Sequence, residues 1–337
     1  MPKKLQTWED TMRILILGAA GMVGHKLTER LVADRSVGGA AITALDLFDV
    51  VEPSAASGEA EIEISRSAGD IADKATVEAL VAKKPDLIFH LASIVSGEAE
   101  ENFEKGYKIN LDGMTYLLEA IRLTGGGYKP KLVFTSSIAV FGTPFEDKIS
   151  DTFVLAPLTS YGTQKAICEL LLADYSRKGF VDGIGIRLPT IIVRPGQPNK
   201  AASGFFSGII REPLAGQEAI LPVDDDVRHW AASPASAVGF LIHAATLDTA
   251  PLGARRSLTM PGLSITVGEM LETLREVAGD EAVALVKRVP DEKIKAIVAG
   301  WPRDFEPERA LALGFTADPD FASIIRAHIA NEASKAG

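Results

Sequence analysis

The sequence predicts an α/β fold in which a doubly wound parallel sheet is joined to a smaller mixed α/β lobe. Three observations carry this prediction. Apolar runs of strand length alternate with helical patterns up to residue 188, and a glycine turn separates the first strand from the first helix. After Arg194-Pro195-Gly196 the pattern breaks into shorter pieces punctuated by Gly and Pro. A chain of 337 residues can bury one large core and an appended lobe, and its 47% hydrophobic and 24% charged content is ordinary for a globular protein.

The first strand is expected at 13–17 and the first helix at 22–34, on either side of the run MRILILGAAGMVG (12–24). Its glycines are Gly18, Gly21 and Gly24. Strand, glycine turn and helix N-terminus in that order make an anion site. The turn amides, with those of Met22 and Val23 at the positive helix end, face a pyrophosphate that no side chain blocks. The next strand, 41–45, leads to Asp46, which closes the apolar run AAITALD 22 residues after Gly24. A carboxylate there is expected to accept hydrogen bonds from the adenosine ribose and to repel a 2′-phosphate. With nothing basic at Ala19-Ala20, the cofactor is expected to be NAD rather than NADP. This is a Rossmann-type dinucleotide unit.

Further strands are expected at 61–64, 86–91, 131–135 and 183–188, and helices at 73–83, 99–124 and 161–178. The Ser-, Ala- and Glu-rich stretch 50–61 reads as a surface loop. A polar segment, DDDVRHW (224–230), returns the chain to a helix from about Pro234; the helix VGEMLETLREVAG and a last helix near 321–333 follow. The expected organisation is an N-terminal extension (1–11), a dinucleotide-binding domain (12–195) and a substrate lobe (196–337) that returns to the main sheet near 234–260.

Only one of the five tyrosines, Tyr161, has a lysine four residues on, and helical spacing puts Tyr161 and Lys165 one turn apart on one face. Ser137 stands 24 residues upstream, at the C-terminal end of a predicted strand, where open α/β sheets bind ligands. A free phenol titrates near pH ~10, so Tyr161 serves as a base only if its anion is stabilised, and an adjacent ammonium does that. A serine hydroxyl can align and stabilise the reacting oxygen. Ser136 competes with Ser137 for that place.

With the GxxGxxG spacing, these residues resemble the short-chain dehydrogenase/reductase family. The likeness continues through Asp70-Ile71, His90-Leu91-Ala92-Ser93, Asn110 in NLDGMTYLLEA, TSSIAVFG (135–142) and Tyr161-Gly-Thr-Gln-Lys165. The SSxxxFG run and the long C-terminal part are similar to the extended, sugar-epimerase-like branch. The resemblance implies catalysis by Ser137, Tyr161 and Lys165, with Ser137 chosen over Ser136 because it lies five residues before Gly142. Position 141 is Phe where the family usually has Tyr. It also implies NAD contacts at Asp70, Ile71, Leu91, Ala92, Ser93, Asn110 and Pro189, besides Tyr161 and Lys165. A homodimer is implied through the helices near 99–124 and 161–178, with apolar surface from Leu117, Leu118, Ile121, Ile167, Leu170 and Leu171.

For the substrate, the family's sugar-nucleotide members carry an R-x-x-N motif where this chain reads Arg187-Leu-Pro-Thr190. Between Gly196 and Trp230 only Lys200, Arg211 and Arg228 stand against five acids, thin provision for a diphosphate. The segments 187–214 and 228–245 resemble members that oxidise a four-carbon sugar acid at C2. Arg194 or Arg228 is expected to grip its carboxylate, Ser207 or Asn199 its lower hydroxyls, and Ser93, Ser137 and Tyr161 the reacting end. A sugar-nucleotide 4-epimerase and a non-catalytic NAD sensor are the alternatives.

The net charge of −10 argues against nucleic-acid or anionic-membrane partners. The five histidines lack metal-ligand spacing, and no apolar stretch is long enough to span a bilayer. The single Cys168 and the polar run MPKKLQTWEDT lead to the expectation of a cytoplasmic protein without disulfides.

Overall fold

A computed structural model describes residues 11–55, 62–194 and 203–336. The first ten residues of the expected extension, the end of the 50–61 loop, the expected boundary at 195 and Asn199 lie outside the described residues.

One sheet contains eight strands: β1 (Thr11–Leu17), β2 (Ser36–Val37), β3 (Ala40–Asp49), β4 (Glu63–Ala68), β5 (Leu87–His90), β6 (Lys131–Ser137), β7 (Asp182–Leu188) and β8 (Ser257–Thr259). Their order is β8-β7-β6-β5-β1-β3-β4, with β2 folded back antiparallel on the start of β3. The ladders β4–β3, β3–β1, β1–β5, β5–β6 and β7–β8 are parallel. Chain order reverses between β1 and β5, so the ends of these two strands form a switch point where ligands bind in such sheets. Ile14, Leu15 and Ile16 are all fully buried, as a central strand covered on both faces requires.

The helices of this unit include α1 (Met22–Asp34), α2 (Lys74–Ala82), α3 (Gly113–Thr124) and α4 (Ser160–Arg177). Asp73 caps α2 by accepting from the Ala75 and Thr76 amides, and Thr159 caps α4 by accepting from Gly162. The expected helix over 99–124 is not continuous. It breaks at Asn102, whose side chain accepts from the Lys105 amide, and passes through a π-turn over Tyr107–Asp112 before α3. A short polar side chain competing for backbone donors explains the break, and such π-turns concentrate at functional sites.

Leu117, Leu118 and Ile121 were expected on a dimer surface. Instead they are buried in a core with Val77, Leu80, Val81, Leu132 and Phe134, because α3 packs its apolar stripe against α2 and the sheet. Leu170 is 68% exposed, as is much of Phe103, whose ring lies 4.6 Å from that of Tyr107.

The chain divides into two compact units, and their boundaries interleave. The first contains 1–140, 159–187 and 238–259, and the second 141–158, 188–237 and 260–337. The break near the expected 195 falls at 187/188, and 141–158 belongs to the second unit. That unit has its own core, built around Phe206, Ile209, Ile210, Met270, Leu274 and Ile325. Its central ladder sets Arg228–Ala232 antiparallel to Leu263–Thr266 and parallel to Thr190–Ile191. No helix among the described residues is long and apolar enough to cross a membrane.

Two glycine substitutions should move stability in opposite directions. A Cβ on Gly24 would stand 2.1 Å from the Gly18 carbonyl oxygen, so Gly24→Ala should lower the unfolding free energy by about 1–3 kcal/mol. Gly239, in the helix Pro234–Thr246, meets nothing within 4 Å, so Gly239→Ala should add roughly 0.5–1 kcal/mol. Urea midpoints check both; a neutral Gly24→Ala would contradict the close packing of the turn.

Candidate active site

The chain leaves β1 on Gly18, whose φ of +93° suits glycine alone. Its amide and that of Ala19 donate to the Phe48 carbonyl at 2.8 and 3.1 Å, tying the turn to β3. A Cβ on Gly18 would stand 2.6 Å from the Ala92 nitrogen, so glycine lets the loop after β5 close on the turn. In that loop both Leu91 and Ala92 donate to the Leu17 carbonyl. Gly21 precedes α1, and no side chain caps the helix, so its first amides, those of Met22 and Val23, face outward at the positive end. This cradle fits a dinucleotide pyrophosphate.

The acid beside the turn is Asp49 and not, as expected, Asp46. Asp49 closes β3; its Oδ2 accepts from the Ala20 amide at 2.9 Å and its Oδ1 from Val50 at 2.6 Å. Asp46 lies mid-strand opposite Leu15, 2% exposed, and is held by Lys83 Nζ at 2.6 Å, Arg13 Nη1 at 2.9 Å and the Ser65 hydroxyl at 2.5 Å. Burial pushes its carboxyl up, but the hydrogen bonds from Lys83, Ser65 and Arg13 outweigh this and hold it below the usual carboxylate range. The apolar run that ended at Asp46 in the sequence continues through Leu47 and Phe48, so the strand extends three residues further.

Further along the sheet edge, Asp70 Oδ1 accepts from the Ala72 amide at 2.8 Å. Ile71 is buried where α3 begins, and a Cβ on Gly113 would stand 2.3 Å from its Cγ1. Asn110, placed by the π-turn, clamps the loop after β5. Its Oδ1 accepts from Ile94 N at 2.9 Å, and its Nδ2 donates to the Gln164 Oε1 at 2.8 Å. Gln164 had not been singled out, though it sits directly before Lys165; it connects α4 to this clamp. Cys168 is fully buried, donates to the Asn110 carbonyl at 3.2 Å, and burial pushes its thiol up to about 12.

The two serines at the end of β6 face opposite sides, as strand geometry dictates. Ser136 is buried and donates to Glu169 Oε1 at 2.5 Å; Glu169 in turn is gripped by Arg187 through Nε at 2.9 Å and Nη2 at 2.7 Å. Ser137 is partly exposed and accepts from the Ala139 amide at 3.1 Å. Tyr161 stands in the first turn of α4, its phenol interacting with the hydroxyls of Ser93 and Ser137. Burial raises the phenol's pKa, and those two hydroxyls oppose the rise. Lys165, one turn on and buried, donates to the Thr135 carbonyl at 2.9 Å and lies 5.6 Å from the Tyr161 ring centroid. Burial pushes its ammonium down to about 8, with Cys168 and Glu169 acting the other way. His90, fully buried nearby, is kept neutral: burial, with a contribution from the Lys165 charge, pushes it down to about 3. Lys165 is thus the cation next to the phenol.

Of the expected substrate residues, Arg194, Ser207 and Arg228 are described and fall in the second unit, with Pro189, which is buried. Arg194 follows Val193, a β-branched residue held at a φ of +54°, a strained conformation that fixes where the next side chain starts. Among the described residues the Arg194 guanidinium has no acid partner; burial lowers its pKa, and so does the neighbouring Arg211 charge. Arg228 is already engaged, donating to the Ser264 carbonyl at 2.9 Å and standing 3.5 Å from Glu269. Ser207 is 1% exposed and its Oγ accepts from the Arg194 amide at 3.4 Å. Among the described residues no group of three His, Cys, Asp or Glu side chains could hold a metal ion.

Residues 14–234 match the model of the NAD dependent epimerase/dehydratase family. The chain is 44% identical to D-erythronate dehydrogenase of Cupriavidus necator over 322 residues, covering 94% of this chain and 98% of that protein. It is 41% identical to D-erythronate dehydrogenase of Haemophilus influenzae, covering 94% and 99%. A crystal structure described as the nucleoside-diphosphate-sugar epimerase from Agrobacterium tumefaciens superposes with a TM-score of 0.94 at 58% identity, covering 99% of this chain and 98% of that one. The glycine cradle, the Ser-Tyr-Lys arrangement and these likenesses agree: the chain belongs to the NAD-dependent epimerase/dehydratase family, the extended branch of the short-chain dehydrogenases/reductases.

Proposed function

We propose that this protein is an NAD-dependent dehydrogenase of a small sugar acid, oxidising the C2 hydroxyl of D-erythronate to the 2-oxo-tetronate. The names of the two relatives support a sugar-acid substrate. On the chain's own residues, Arg194 is the observation that carries it. A half-buried guanidinium beside another cation, with no acid partner among the described residues, favours an anion, and a carboxylate next to the reacting carbon would meet it bidentately. Arg228, with its own partners, is the weaker choice.

In this reading Gly18, Gly21 and Gly24 with the Met22 and Val23 amides hold the pyrophosphate, Asp49 the adenosine ribose, and Asp70 and Ile71 the adenine. Leu91, Ala92, Ser93, Asn110 and Pro189 line the nicotinamide end, and Lys165 holds its ribose. Bound there, NAD supplies the hydride acceptor for the substrate carbon. Ser137 donates to the reacting oxygen and aligns it. Tyr161 takes the hydroxyl proton, and because burial raises its pKa it depends on the Lys165 ammonium to exist as an anion at neutral pH.

A sugar-nucleotide epimerase is the second reading, favoured by the description of the 58% identical structure. Incubation with NAD and D-erythronate should therefore release NADH, whereas UDP-glucose should remain unepimerised. Tyr161→Phe should lower turnover by about 10²–10⁴-fold with NAD affinity retained, and Lys165→Ala should weaken both. Epimer formation without NADH release would overturn the dehydrogenase, and no turnover with either would favour an NAD sensor.

Coenzyme choice should follow Asp49. Asp49→Asn should narrow the preference for NAD over NADP, because it removes the charge facing a 2′-phosphate. Asp46→Asn should leave the preference alone and cost stability. The Asp46 carboxyl titrates below its unfolded value, so its contribution is present above about pH 4 and lost as pH falls further. A preference that moves with Asp46 and ignores Asp49 would contradict this assignment.

The proposed assembly is a homodimer through the outer face of α4, where Leu170 is exposed, and the Phe103–Tyr107 pair. Light scattering should give twice the chain mass, and Leu170→Glu should shift it toward the monomer; a monomeric wild type at micromolar concentration would exclude the dimer.

A further inference from the structure

Glu169 is a buried carboxylate that no step above uses, and it lies one turn after Lys165 on α4. Both of its oxygens are engaged. Oε1 accepts from the Ser136 hydroxyl at 2.5 Å and from Arg187 Nε at 2.9 Å, and Oε2 accepts from Arg187 Nη2 at 2.7 Å. Arg187 Nη1 in turn donates to the Thr259 hydroxyl on β8 at 3.5 Å, so the ion pair is held from β7 and β8 as well as from α4. Glu169 is therefore a holding group and not a second acceptor for the substrate proton. A buried ion pair adds little stability over well-packed apolar side chains, so stability alone does not account for this charge beside the Ser-Tyr-Lys set.

What it holds is the end of β6. Three consecutive residues of that strand meet α4: the Thr135 carbonyl accepts from Lys165 Nζ at 2.9 Å, Ser136 donates to Glu169, and the Ser137 hydroxyl interacts with the Tyr161 phenol. Ser136 is the middle one, and its two planar peptide bonds join it to the Thr135 carbonyl on one side and to Ser137 on the other. The geometry points to Ser136 and Glu169 as positioning residues, which through one buried hydrogen bond lock the strand end that sets both the Lys165 acceptor and the Ser137 hydroxyl. This rests on the roles proposed above for Ser137, Tyr161 and Lys165. The Glu169 charge has a second effect. Burial pushes the Lys165 ammonium down to about 8, and Cys168 and Glu169 oppose it. The other groups around that ammonium are Tyr161 on α4, the neutral His90 on β5 and the Phe134 ring on β6, whose centroid is 4.8 Å away. Arg187 is paired with Glu169, and Cys168 keeps its proton up to about 12, so Glu169 is the carboxylate that faces Lys165 among the described residues.

The test measures D-erythronate oxidation across pH for Ser136→Ala, Ser136→Thr and Glu169→Gln, beside NAD affinity and urea midpoints. Ser136→Ala should lower kcat by about 10- to 100-fold, with KM and NAD affinity held within about twofold. Ser136→Thr, which keeps the hydroxyl, should restore most of the loss. Glu169→Gln should carry the alkaline fall of kcat/KM to lower pH by about one pH unit, because without the carboxylate charge Lys165 loses its proton earlier. Should Glu169→Gln fail to fold, the two Ser136 variants decide. A wild-type kcat in Ser136→Ala, or a loss that Ser136→Thr leaves unrestored, would overturn the inference, and so would an unmoved pH profile in folded Glu169→Gln. A wild type that does not oxidise D-erythronate, or a Tyr161→Phe variant that still turns over, would instead remove the proposed function on which the inference rests.

Discussion

The close approach of the glycine turn to its neighbours is the constraint from which the arrangement of the first unit follows. Gly24 lies so near the Gly18 carbonyl, and Gly18 so near the Ala92 amide, that a single added carbon at either would collide with backbone. Because nothing intervenes, the ends of β1 and β5 and the start of α1 share one small space, with the first amides of α1, those of Met22 and Val23, directed outward. Asp49 is tied to the same turn through Ala20, and Asn110 holds the loop after Ser93. The helix end, the acid and the loop are therefore positioned together, and α4 joins them through Gln164.

Electrostatics then separates the roles of neighbouring polar groups. Glu169 faces Lys165 on one helix, yet its oxygens are taken by Ser136 and Arg187. His90 remains neutral under its burial. What is left around the Tyr161 phenol is two serine hydroxyls and one ammonium, the set that proton removal requires. The chain enters the second unit at Phe141, four residues after Ser137, and its last residue there, Leu158, is three before Tyr161, so the connection between these two residues passes through that unit.

Much of this was legible in the sequence because local rules and tertiary demands coincide there. The run ILIL before Gly18 is a strand buried on both faces, and the Tyr161–Lys165 spacing survives because a capped helix is rigid. Ser137 was separable from Ser136 only through the family's spacing of five residues to Gly142; in the structure the strand turns the two to opposite sides. The errors share a cause: periodicity says little about where an element ends or which partner covers it. Asp46 looked like the end of a strand because a charge interrupts the apolar run, but Arg13, Lys83 and Ser65 make that charge tolerable inside. Leu117, Leu118 and Ile121 looked like surplus surface because the packing of α2 on α3 is invisible to pattern. The hold of Asn110 on Gln164 joins residues 54 apart, which no local signal carries.

Oxidation at C2 of a sugar acid, with the hydride passing to NAD, is the central claim. D-erythronate labelled with deuterium at C2 tests it most directly. The account predicts that the NADH formed carries the label and that the label slows turnover. Unlabelled NADH, formed while the deuterium stays on the sugar acid, would place the chemistry at another carbon and contradict it.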